Sequence, residues 1–320
     1  MSTEVATPLA TDPAAAEVRR TPASVASALL RATRPRQWVK QVLVLAAPVS
    51  AGVLDSWSAV GHTAVAAATF TMAAGGTYLV NDARDVEADR RHPTKRARPM
   101  ASGALPMSLG WAAAGVLLAG SVAVGGALAG WRLAVVLAVY VGLTLAYSVR
   151  LKHVAVVELM VVALGFVLRA LAGAAAVRVP LSEWFVIVAS FGSLFMVVGK
   201  RYAEVTGLAD GVAARRILAE YPVAWLRQVR DVCVSVTLLA YCLFAFERGG
   251  GSSPQGGQDM STVPWYQLSI IPVTLGLLRY ALLLERGQGG APEEVVLRDR
   301  TLLVAGVLWA VLFGLGVARA

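Results

Sequence analysis

The sequence predicts an all-α, polytopic membrane protein with about nine transmembrane helices. Three observations carry that reading. Of the 320 residues, 57% are hydrophobic and only 15% charged, too apolar a balance for an ordinary soluble domain. Apolar runs near the length that crosses a bilayer as a helix recur between residues 39 and 318. The 29 Lys and Arg residues gather in alternate connections, the bias that marks cytoplasmic loops.

Taken in order, residues 1–30 are rich in Ala, Thr, Pro and Ser and lack an early apolar core behind a basic stretch. They read as a disordered cytoplasmic tail rather than a signal peptide, ahead of one membrane domain over 31–320. The spans are expected at 39–58, 62–82, 108–128, 132–149, 154–175, 183–200, 231–247, 265–284 and 301–318. Pro48 and Gly52 interrupt the first, so a tilted or broken helix is expected there. With the amino terminus inside, only Arg132, Arg178, Arg248 and Arg319 fall on the outer side, and Arg169 and Arg279 lie within spans. The chain is therefore expected to be multi-pass in the inner (plasma) membrane, with its amino terminus in the cytoplasm and its carboxyl terminus outside. Juxtamembrane bases account for most of the formal charge of +9, so no nucleic-acid partner is implied. Cys233 and Cys242 both fall in the seventh span and read as small apolar residues.

The most informative stretch ends the second span. It runs Asn81-Asp82-Ala83-Arg84-Asp85-Val86-Glu87-Ala88-Asp89, then His92-Pro93-Thr94-Lys95-Arg96-Ala97-Arg98-Pro99. A helix continued at about 100° per residue puts Asn81, Asp82, Asp85 and Asp89 within roughly a third of its circumference. Carboxylates so crowded repel one another unless a cation stands between them, and hard oxygen ligands suit Mg²⁺ carrying a diphosphate. A solvated charge cluster at a helix end is the blander alternative. The one-sided spacing and the adjoining basic run favour the metal.

Asn81-Asp82-x-x-Asp85-x-x-x-Asp89 with Arg98-Pro99 resembles the first aspartate-rich motif of the UbiA superfamily of intramembrane prenyltransferases. The resemblance runs from Arg34 over nearly the whole chain. It implies a UbiA-like helical bundle as the catalytic domain over 31–320, an active site opening to the cytoplasm, and Mg²⁺–diphosphate held at Asp82, Asp85 and Asp89. Arg34-Pro35-Arg36-Gln37-Trp38-Val39-Lys40 resembles a second family motif. There Lys40 is a candidate for neutralising a phosphate, with interfacial anchoring as the alternative. Tyr147-Ser148-Val149-Arg150-Leu151-Lys152 also looks like a family feature, and Tyr147 and Lys152 are candidates for contacting an anionic oxygen, with an aromatic-belt position as the alternative for Tyr147.

The chain departs from ordinary members of the family after the sixth span. Their second aspartate-rich motif is replaced by Gly199-Lys200-Arg201-Tyr202-Ala203-Glu204. Lys and Arg can take an anion directly, without a bridging metal, although bases are also ordinary at such a boundary. Together the two motifs most resemble the branch that makes phosphoribosyl lipids for actinobacterial cell walls. That resemblance implies 5-phosphoribosyl 1-diphosphate as donor and a polyprenyl phosphate as acceptor. Asn81, Lys95 and Arg98 are then candidates for the donor, and Lys200, Arg201, Tyr202 and Glu204 for the remaining phosphate. Glu158 and Arg169, eleven residues apart on the fifth span, are intramembrane charges expected to line the cavity. The rivals are a prenyltransferase joining an isoprenoid diphosphate to an aromatic acceptor, and a transporter or non-catalytic scaffold. Monomer and homo-oligomer are both compatible with the sequence.

Overall fold

The computed structural model describes residues 21–207, 216–249, 263–288 and 292–319. Among these the chain is helical with no strand. The helices are α1 (Pro22–Ala32), α2 (Ala46–Ser50), α3 (Trp57–Arg84), α4 (Val86–Arg91), α5 (Met107–Ala129), α6 (Trp131–Val149), α7 (Val157–Val177), α8 (Glu183–Thr206), α9 (Val223–Gly249), α10 (Trp265–Leu268), α11 (Ile270–Glu285), α12 (Pro292–Arg298) and α13 (Arg300–Arg319). Eight segments are long and apolar enough to cross a membrane: α3, α5, α6, α7, α8, α9, the α10–α11 pair and α13. This is a multi-pass membrane protein. Val116, Leu128, Leu239, Val304 and Val307 stand exposed on the spans, as lipid-facing residues should.

The first expected span is not a regular α-helix. Residues Pro35–Leu45 wind as a 3₁₀ helix and continue into α2. At the rises of the two helix types the pair covers about 30 Å, still the thickness of a hydrocarbon core. Pro48 contributes at the segment's outer end, because it has no N–H for the Val44 carbonyl four residues back. That carbonyl lies against α7 instead, only 1.9 Å from where a Cβ on Gly173 would stand. Gly52, at φ +68°, then turns the chain away.

The expected tail also needs correction. Residues 22–30 belong to α1, which Thr21 starts by a reciprocal capping box with Ser24, with Pro22 in the first turn. Ala28 and Ala32 are buried against Leu79, Val80 and Leu105. Residues 1–20 lie outside the described residues.

The most enclosed helices, α3 and α7, form the centre of the bundle. Phe70, Leu133, Leu137, Tyr140 and Leu168 knit α3, α6 and α7 together. Leu159, Phe195, Leu226 and Leu284 do the same for α7, α8, α9 and α11. The carboxyl ends of α3, α6, α8 and α11 and the amino ends of α7, α9 and α13 therefore share one end of the bundle, where the charged side chains collect. Trp57, Trp131, Trp184 and Trp265 mark helix starts at the other end, an interfacial belt.

Candidate active site

Helix α3 stops at Asp85 (φ −93°, ψ 7°), and α4 begins at Val86. The carboxylates therefore do not lie on one continuous helix, as the sequence suggested. Asp82 and Asp89 are buried, and they converge on Arg98, whose Nη1 is 3.1 Å from Asp82 Oδ1 and 2.7 Å from Asp89 Oδ2. Arg34 also donates to Asp82 Oδ1, at 2.5 Å, and lies 4.7 Å from the Tyr78 ring centre. Asp85 turns elsewhere, accepting from Lys152 Nζ at 2.6 Å. The Asn81 carbonyl accepts from the Asp85 N–H. Among the described residues no three acidic, His or Cys side chains converge as a metal-binding group, so the expected trio is not assembled. The break at Asp85 and its pull toward the α6–α7 connection are the reason.

The donor set still fits Mg²⁺. Two buried carboxylates share a single cationic nitrogen, a third lies nearby on the same chain segment, and the ligands on offer are hard oxygens. His92 is used locally, its Nδ1 lying 3.3 and 3.4 Å from the Thr94 and Lys95 amides. Lys95 itself sits in the 3₁₀ turn Lys95–Ala97 that leads to Arg98.

The second motif is arranged differently from the sequence expectation. Arg201 is not an open anion grip. Its Nε and Nη2 each donate to Glu158 at 2.7 Å, and Nη1 donates to Glu204 at 2.5 Å. With Arg201 and Glu158 both buried, this fork compensates charge that the membrane interior would otherwise reject. Lys200 is half-exposed, 4.0 Å from Glu204. Tyr147 is half-buried near the carboxyl end of α6. Tyr202 donates to Glu285 at 2.8 Å, and Glu285 also receives Arg230 at 2.5 Å. Sequence reasoning missed Arg34, Tyr221, Arg230 and Glu285. The position of Arg34 just before the first apolar run was the available signal.

Glu158 and Arg169 do not pair with one another, as expected from their spacing. Arg169 lies 5.1, 5.2 and 5.3 Å from the ring centres of Phe70, Tyr140 and Phe166, and donates to the Gly165 carbonyl at 2.5 Å. Lys40 Nζ lies 5.7 Å from the centre of the same Phe166 ring. Both candidates thus sit where α7 meets the first segment, deeper than the aspartates.

Comparison with known proteins adds to this geometry. A model of the UbiA prenyltransferase family matches residues 42–303. A decaprenyl-phosphate phosphoribosyltransferase of Mycobacterium tuberculosis is 44% identical over 307 residues, covering 94% of this chain and 98% of that protein. One of Corynebacterium glutamicum is 43% identical over 295 residues, covering 91% and 87%. Among solved structures, a UbiA homologue from Archaeoglobus fulgidus bound to GPP and Mg²⁺ aligns with a TM-score of 0.67 at 15% identity, over 92% of this chain and 100% of that one. A digeranylgeranylglyceryl phosphate synthase aligns at 0.64 and 13% identity, over 92% and 99%. At those identities the structural likeness speaks to the fold alone.

Proposed function

The chain belongs to the UbiA prenyltransferase family, and from that premise we propose that it transfers the 5-phosphoribosyl group of 5-phosphoribosyl 1-diphosphate to decaprenyl (polyprenyl) phosphate. The products are decaprenylphosphoryl-5-phosphoribose and diphosphate, a lipid-linked pentose for arabinogalactan and lipoarabinomannan synthesis. The observation that carries this reading is 44% identity across 94% of the chain to decaprenyl-phosphate phosphoribosyltransferase.

A lipid phosphate is anionic at neutral pH, so attack at ribose C1 needs no general base. The difficulty is the charge that builds on departing diphosphate. Asp82 and Asp89, with Asp85 as the nearby third carboxylate, would hold Mg²⁺, which would supply Lewis-acid neutralisation there. Arg34 and Arg98, already against Asp82, are placed to hand their guanidinium donors to diphosphate oxygens. Lys152 and Lys95 bring further positive charge to the same end. Asn81 supports the donor, and carboxylate charge near C1 favours its oxocarbenium character. Lys200 and Lys40, rather than Arg201, whose donors are taken by Glu158 and Glu204, are the bases we assign to the acceptor phosphate, with Tyr147 as a further hydroxyl donor. Glu158, Glu204 and Tyr202 act from behind by fixing Arg201 and Arg230. The charged end faces the cytoplasm in this reading, as the basic bias requires.

A UbiA-type transfer of an isoprenoid to an aromatic acceptor is less well supported. The position of its second acidic motif offers only Glu204, which is engaged by Arg201. The test incubates purified protein with Mg²⁺, polyprenyl phosphate and radiolabelled 5-phosphoribosyl 1-diphosphate. Label entering the organic-soluble lipid, lost with EDTA, is the expected result. Transfer only from a polyprenyl diphosphate to an aromatic acceptor would favour the rival, and inactivity in both assays a transporter or scaffold.

A further inference from the structure

Between α6 and α7 the chain adopts a backbone that L-residues rarely tolerate. Val156 has φ +65° and ψ −47°. The Val157 N–H donates to the Ala155 carbonyl at 2.7 Å, closing a γ-turn of the strained, positive-φ kind. For a β-branched residue this is a true outlier, and such strain persists only where the surroundings over-determine it.

Tyr221 supplies that determination. The Val156 N–H donates to its hydroxyl at 2.8 Å, and the hydroxyl lies 3.3 Å from Glu158 Oε1, to which it donates. The ring is buried and stacks on Trp225 at 5.6 Å. Pro222 follows directly and restricts the local backbone. Burial pushes the phenol up to about 12, so the hydroxyl stays neutral and serves as acceptor and donor together.

The turn stands between two parts of the charged end. Four residues before it Lys152 reaches Asp85, and two residues after it Glu158 holds Arg201. We propose that Tyr221 is a positioning residue for the transfer reaction: by holding the γ-turn at Val156 it sets Lys152 against Asp85 while Glu158 stays locked to Arg201. The Glu158 end is fastened by a two-point fork. Slack released at the turn therefore falls on the Lys152 arm, beside the donor diphosphate. This proposal rests on the phosphoribosyl-transfer reading for its kinetic consequence, but not for its structural one.

The experiment compares full-length wild type with Tyr221→Phe, Val156→Gly and the double variant, by hydrogen–deuterium exchange and by transfer kinetics. In Tyr221→Phe, loss of one buried hydrogen bond should speed amide exchange at Val156 and Val157 by about fivefold. KM for 5-phosphoribosyl 1-diphosphate should rise by a similar factor, with KM for the lipid phosphate and the melting temperature nearly unchanged. Glycine adopts φ above zero without steric cost, so Val156→Gly in the Tyr221→Phe background should restore the donor KM. Unchanged exchange overturns the proposal. So does a parallel rise of both KM values with a fall in melting temperature, or a failed rescue. Should wild type itself transfer no phosphoribose, the functional reading fails instead, and the exchange comparison alone decides the role of Tyr221.

Discussion

Arg201 and Glu158 meet in a two-point fork, Nε to Oε1 and Nη2 to Oε2, both at 2.7 Å, joining α8 to α7 with both side chains buried. Breaking such a pair leaves a charge stranded. Glu158→Gln or Arg201→Leu should each lower stability by about 3–5 kcal/mol. Replacing both by leucine should recover part of that loss, because no buried charge is stranded, while Glu204 and the Tyr221 hydroxyl each lose a partner. Thermal unfolding of the purified protein in detergent checks the series. A double variant less stable than either single one would mean that the contacts to Glu204 and Tyr221 outweigh the fork itself.

Asp82 is the buried carboxylate on which Arg34 and Arg98 converge. Asp82→Asn keeps the shape and removes the charge. Transfer should fall by about 100-fold or more, the scale on which removal of one transition-state charge partner acts. The Mg²⁺ concentration for half-maximal rate should rise, and EDTA should abolish the wild-type rate. Asp85→Asn should cost less, since its carboxylate is turned to Lys152. Equal losses in both variants would argue that Asp85 swings back to join Asp82 and Asp89.

The convergence of Asp82 and Asp89 was legible in their spacing of seven, two turns of a helix. The fate of Asp85 was not. The run Asp82-Ala83-Arg84-Asp85-Val86-Glu87 contains no glycine or proline, and the break coincides with a contact to Lys152, far away in sequence. Arg201 was read as an anion grip for a similar reason. Its position at a helix end was visible, but its partner Glu158 lies on another helix, 43 residues earlier, and no spacing in the sequence signals that pairing. The irregular first span was signalled by Pro48 and Gly52, while its 3₁₀ winding depends on packing against α7. Helix α1 was legible and was overlooked: Thr21-Pro22-Ala23-Ser24 places a cap, a first-turn proline and the reciprocal hydroxyl in order.

Asp299 ties α11 to α13. It accepts from Arg279 Nη2 at 2.7 Å and from the Leu302 N–H at 3.0 Å, capping α13. The Arg279 guanidinium, helped by that amide, holds the Asp299 carboxyl below its usual range. A lowered folded-state value gives stability that is fully present above the unfolded value, near 4, and is lost as pH falls through the folded one. The melting temperature should therefore be insensitive to this pair between about pH 5 and 8 and fall below about pH 4. Asp299→Asn should show a smaller acid-induced fall than wild type. An identical fall in both would place the acid-sensitive group elsewhere.

Gly173 lets the first segment lie directly on α7. A Cβ there would stand 1.9 Å from the Val44 carbonyl oxygen and 3.0 Å from Pro48 Cδ. The obstacle is backbone on one side and a proline ring on the other, neither of which can rotate away. Gly173→Ala must therefore push the 3₁₀ segment off α7, at a cost of about 1–3 kcal/mol. That displacement would carry Lys40 with it, so the acceptor KM should rise as the melting temperature falls. Gly142, with open space around its Cβ direction, is the matched control, and Gly142→Ala should leave both unchanged. If Gly173→Ala were as stable and active as that control, the contact of Val44 with α7 would not be what fixes the first segment.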